Sequence, residues 1–178
     1  MKLIKEISHT NSAKAEFFYL RHMNEEKLSF LRKGMFDVLD RLEGNSPARW
    51  GSMNAQQMME HLADFFDVSY EKIIFPLSVP EEHLPKYKAF LWSDKEFREN
   101  TKAPANVLGD EPLPLRQASL QAAKDNLKQS VEKFVEWFNN NDSKTSMHPA
   151  FGVLNFEEWV LLHHKHVLHH LKQFGMMN

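Results

Sequence analysis

Apolar residues recur at helical spacing in four segments of the chain, and no stretch alternates in the manner of a strand. Leu28, Leu31, Met35, Val38, Leu39 and Leu42 form one stripe and predict a helix over about 25–42, closed by Gly44-Asn45-Ser46-Pro47. Met58, His61, Leu62, Phe65 and Ser69 share a face of a second helix, about 55–74, ended by Pro76. Leu120, Ala123, Leu127, Val131, Phe134 and Phe138 mark a third over about 116–139, followed by a polar loop, Asn139 to Ser143. The fourth runs over about 156–174. The pattern predicts an all-α fold.

Start signals sharpen the register. Asn54 with Gln57, and Asn155 with Glu158, have the spacing of a capping box, in which the two side chains satisfy free backbone donors reciprocally. Met53 with Met58, and Leu154 with Trp159, stand where an apolar pair packs across each cap. Asn24, flanked by Met23 and Leu28, opens the first helix in the same way, without a capping-box partner at Lys27.

Between the second and third helices lies a long crossover, Phe75 to Leu115, holding six prolines, which excludes one continuous helix but allows a short one over 81–91. In a helical bundle such a connection joins parallel neighbours or covers one end of the core. Tyr87, Phe90, Trp92 and Phe97 could line a pocket there or simply close the core.

The chemistry concentrates in the fourth helix, where five of the ten histidines fall within eight residues. Trp159, His163, His166, His170 and Phe174 share about a quarter of the helix circumference, so imidazoles stand in an apolar stripe. His166 and His170, four apart, place their rings on one face a turn from each other, as in helical metal sites. His61 is a third candidate, set mid-helix between Met58 and Phe65. Buried imidazoles need partners, and a divalent ion satisfies several converging ring nitrogens at once. Three imidazoles would leave a fourth position open for chemistry. The plainer alternative is that each is a core histidine bonded to a carbonyl or carboxylate. His163 could be a further ligand, a group behind the ligands or a proton carrier. His164 points away from His166 and is expected at the surface. His169 lies at the edge of the stripe, and a structural role or none is the default for it and for His9, His22, His83 and His148. Asp64, less than a turn from His61, could orient a ligand or take part in catalysis.

Composition narrows the class. At 178 residues, 42% hydrophobic, the chain can bury a substantial core and is expected to form one domain over 1–178. The 22 basic and 24 acidic residues form no long block, which argues against nucleic-acid or membrane-surface binding. The absence of cysteine excludes disulfides, thiolate ligands and a cysteine nucleophile, so a metal must use nitrogen and oxygen. The start lacks a signal-like apolar run, and a cytoplasmic location is expected. His-Glu-x-x-His, Gly-x-Ser-x-Gly and phosphate or dinucleotide glycine loops are absent.

The run Trp50-Gly-Ser-Met-Asn-Ala-Gln-Gln-Met-Met-Glu-His61-Leu-Ala-Asp64, then His148-Pro-Ala-Phe-Gly152, Glu158-Trp159 and His166-Val-Leu-His169-His170-Leu-Lys-Gln173, resembles the DinB/YfiT-like metalloenzymes along nearly the whole chain. The resemblance implies an up-down-down-up four-helix bundle, commonly a homodimer. It also implies zinc or nickel at the matching positions His61, His166 and His170. Characterised members of that superfamily include thiol-dependent S-transferases and an isomerase that uses a low-molecular-weight thiol. The expectation is therefore a metal-dependent hydrolase or small-thiol transferase acting on a small molecule. The competing expectation is a non-catalytic bundle in which metal, or the histidines alone, support the fold or a ligand pocket.

Overall fold

The computed structural model describes residues 24–101, 111–139 and 143–177. Met23, His9, His22, residues 102–110 of the crossover and most of the polar 139–143 loop, all invoked above, lie outside them. The first helix, α1, spans 24–39 and is π-wound through Phe30–Gly34 before its last turn, Met35–Leu39. The Met35 N–H reaches back to the Phe30 carbonyl, and the Phe30 ring lies where a Cβ on Gly34 would meet it at 2.9 Å. Leu31, Met35, Leu39 and Leu42 still reach the core.

Helix α2, Ala55–Ser69, starts from the expected capping box, with both bonds between Asn54 and Gln57 formed. It stops short of the predicted Ile74. The Asp67 carbonyl takes the N–H groups of Lys72 and Ile73, Glu71 adopts φ +63°, and Ile74 is left exposed. The buried Asp67 carboxylate accepts from Tyr70, from Ser130 at 2.6 Å and from Lys72, which pins the end of α2 against the third long helix.

In the crossover, a 3₁₀ turn at Glu81–His83 leads into α3, Leu84–Leu91, the short helix the sequence allowed. Lys88 of α3 bonds Glu158 at 2.9 Å, and Lys165 donates to the carbonyls of Ser93 and Lys95, so the segment is fastened across the last helix. Helix α4, Leu120–Asn139, starts four residues later than expected, with Ser119 capping Ala122. Residues 116 and 117 are instead drawn onto α2. Ala123, Leu127, Val131, Phe134 and Phe138 fill the core as the stripe requires.

The all-α four-helix bundle is overturned by the segment between α4 and the last helix. Strands β1, Thr145–His148, and β2, Gly152–Asn155, form a two-stranded antiparallel sheet with Ser146 opposite Leu154 and Met147 opposite Val153. With α3 and this hairpin, the fold is mixed. Each strand is four residues long, and its inward positions hold Ser146 and His148 beside Leu154, so no hydrophobic alternation betrays it. What holds it is polar. Trp159 Nε1 donates to Ser146 Oγ at 2.9 Å, and that hydroxyl donates to the Ser69 carbonyl at 2.7 Å. Gly152 turns the hairpin at φ +74°, tight against Leu84.

The last helix, α5, Phe156–Gln173, begins at the predicted Asn155/Glu158 capping box. Its apolar face meets α1, α2, α4 and the hairpin in one hydrophobic cluster around Trp159, Phe66 and Phe134. No described helix is long and apolar enough to cross a membrane.

Candidate metal centre

Helices α2 and α5 lie side by side, so the polar positions in their apolar stripes face each other. His61 Nε2 lies 3.1 Å from His166 Nε2, which lies 3.0 Å from His170 Nε2. Their ligand atoms all fall within 4.8 Å of one another, and among the described residues they form the one histidine and carboxylate cluster that could hold an ion. All three predicted positions are brought together.

The donor chemistry fits a metal. Burial holds the His61 imidazole down to about 4, with His169 adding repulsion, and holds His166 and His170 well below the ordinary histidine value. Neutral imidazoles offer lone pairs. Three such lone pairs at this separation repel unless a cation or a shared proton stands between them, and nitrogens around tetrahedral zinc lie about 3.3 Å apart. His166 Nδ1 is buried with no partner among the described residues, so its proton finds no better seat there than on Nε2. A metal on Nε2 resolves that competition in favour of Nδ1–H.

One candidate ligand, His170, is held by a relay from a distant loop. His170 Nδ1 bonds Gln173 Oε1 at 2.8 Å, which directs the Nε2 lone pair at the cluster. Gln173 Nε2 in turn donates to the Trp50 carbonyl at 2.8 Å. Trp50 precedes Gly51, whose φ is +76° and where a Cβ would stand 2.7 Å from Gln173 Nε2. Arg49 N–H also donates to the Gln173 carbonyl at 2.7 Å. The 49–51 loop thus grips the end of α5.

The cluster opens on one side. A cavity of about 220 Å³ reaches His61 and His170 and is walled by Trp50, Gln173, Asp64 and Arg116. Arg116 donates to Asp64 at 2.7 and 3.0 Å and to Glu60 at 3.3 Å. Burial would raise the Glu60 carboxyl, but bonds from Gln56, Gln117 and Arg116 hold it below its ordinary value; Asp64, less well supplied, is raised by burial despite Arg116. Both carboxylates are engaged by Arg116, and neither belongs to the histidine cluster.

The other histidines separate cleanly. His163 is fully buried behind the cluster, stacked on Phe66 at 3.8 Å and edge-on to Phe134, with neither nitrogen bonded among the described residues. It does not join the ligand set. His164, expected at the surface, is partly covered by Phe30 of α1 and held down to about 4, chiefly by burial. His148 is buried at the end of β1, its Nδ1 accepting from the N–H groups of Ala150 and Phe151. His169 sits between Trp50 and Phe97 at the cavity wall, and His83 meets Tyr87. Sequence reasoning gave no role to Trp50, which acts through its carbonyl, or to Arg116, which it placed at a helix start. Gln173, three residues after His170, was the available signal for the relay.

The fold and site define a mostly helical protein with three imidazoles converging beneath an open cavity. Residues 23–177 match the family described as Protein of unknown function (DUF1569), and the chain belongs to that family. No curated protein and no solved structure matches it.

Proposed function

We propose that this protein is a metal-dependent enzyme in which His61, His166 and His170 hold a divalent ion, zinc or nickel, and the adjoining cavity admits a small molecule. The convergence of three neutral Nε2 atoms under an open cavity is the observation that carries this reading. It is supported further by the resemblance of the same positions to the DinB/YfiT-like metalloenzymes. Such an ion, when bound, acts as a Lewis acid that makes water or a thiol more nucleophilic near neutral pH. The chain does the rest. Gln173 and the Trp50 carbonyl fix the tautomer and aim of His170, while Phe65 and Phe97 cover His166 and keep bulk water from its far side. Hydrolysis of a small ester or amide and transfer of a small thiol are the two reaction classes this arrangement supports.

Cobalt substitution tests the reading. The cobalt-loaded chain should give the intense visible bands of a four-coordinate site, and a small thiol should add a sulfur-to-metal charge-transfer band if thiol transfer is the reaction. Weak six-coordinate bands, unaltered by thiols or by hydrolysable substrates, would contradict an open three-histidine site.

A further inference from the structure

Arg116 is held in place more elaborately than its stretch of chain requires. The segment is already fastened to α2 without the guanidinium: the backbone N–H groups of Arg116 and Gln117 donate to Glu60 at 2.9 and 3.1 Å, and Gln56 reaches the Gln117 carbonyl at 2.8 Å. The guanidinium goes on to span Asp64, three residues after His61 on α2, in the two-pronged geometry that fixes orientation as well as position. There it lines the same cavity as His61 and His170 with 47% of the side chain exposed. Three of its five N–H bonds meet Glu60 and Asp64, and each terminal nitrogen keeps one more without a partner among the described residues.

We propose that Arg116 is the anchor for the carboxylate of the substrate, which is a small monocarboxylic acid whose reacting end lies at the histidine cluster. The inference rests on the metal-site reading above. Charge selects the class. Glu60 and Asp64 against Arg116 leave the wall with one net negative charge, and a divalent ion on three neutral imidazoles supplies two positive ones, so one negative charge on the ligand is balanced. Glu111 also lines the cavity, but it is exposed to solvent, and its charge weighs less there than those of the buried Glu60 and of Asp64 paired to Arg116. A phosphate dianion would exceed that balance and crowd Asp64. The cavity, about 220 Å³, is also smaller than the pockets of about 300–1,000 Å³ that take larger ligands.

Hydroxamates test this without assuming the reaction, because they bind divalent metals through their own oxygens. Acetohydroxamic acid and the carboxylate-tailed monohydroxamic acids of succinate and glutarate would be titrated into the cobalt-loaded full chain, followed by its visible spectrum. At least one tailed probe should bind about tenfold more tightly than acetohydroxamic acid, the worth of one charge-assisted hydrogen bond. Arg116→Gln should abolish that preference yet leave acetohydroxamic acid affinity and cobalt content unchanged. Arg116→Lys, which keeps a charge beside the buried Glu60, should retain part of it and guards against misfolding of the first variant. A preference that survives in Arg116→Gln, or is absent from the native chain, overturns the Arg116 assignment. Failure of every hydroxamate, acetohydroxamic acid included, instead overturns the open metal site on which it rests.

Discussion

The side chain of Gln173 bonds His170 Nδ1 through its oxygen and the Trp50 carbonyl through its nitrogen, so a residue 123 positions away in sequence sets the aim of a candidate metal ligand. Each link in this relay is short and geometrically demanding. Gln173→Leu should therefore weaken zinc or nickel affinity about 10- to 100-fold, the usual effect of losing the group behind a ligating histidine. Competition with a chromophoric chelator measures it. Unchanged affinity would remove the relay from the account.

Gly51→Ala attacks the same relay from the backbone. A Cβ there meets Gln173 Nε2 at 2.7 Å, and the φ of +76° costs about 1–2 kcal/mol for a residue with a side chain. The melting temperature should fall by several degrees and metal affinity should fall with it. A variant with native values for both would show that the loop does not grip Gln173.

Metal-free stability should depend on pH in a definite direction. Burial depresses His61 to about 4 and His148 to about 3, from 6.5, so between these values the unfolded chain binds more protons than the folded one. Their contribution is fully present above about 6.5 and is lost as pH falls toward the folded values. Each group should cost about 2 kcal/mol by about pH 5. Urea midpoints across this range, in the native chain and in His148→Asn, check the claim; the variant should show the shallower dependence. A flat profile in the native chain would contradict it.

His163 offers a contrast between packing and chemistry. Among the described residues its two nitrogens have no partner inside a cage of Phe66, Phe134 and Trp159, and an unsatisfied buried polar group costs about 1–3 kcal/mol. His163→Phe keeps the stacking and removes the polar atoms. Bound ion should be retained in full and the melting temperature should hold or rise. Loss of the ion would instead make His163 part of the site.

How much of this was legible in the chain depends on how local the signal is. Asn54 and Asn155 announce α2 and α5 because a cap and its partner are three residues apart, and those two helices carry His61, His166 and His170. The hairpin was illegible because its strands are short and rest on Ser146 bonding to Ser69 and Trp159, contacts that no spacing encodes. Trp50 and Arg116 stayed hidden for a related reason. One contributes a carbonyl, which every residue has, and the other lies where helical periodicity continues past the helix start that Ser119 imposes. The early end of α2 at Tyr70 likewise goes with a contact that no local spacing encodes, the bond from Ser130 to Asp67.

Metal content of tag-free protein, measured by plasma mass spectrometry on the native chain, His61→Ala and His166→Ala, tests the central claim most directly. The account predicts one tightly held ion per native chain and none in either variant, because each substitution removes one of three ligands contributed by two different helices. A native chain without an ion, or an ion indifferent to His61, would contradict it and leave the three histidines as a polar cluster within the core.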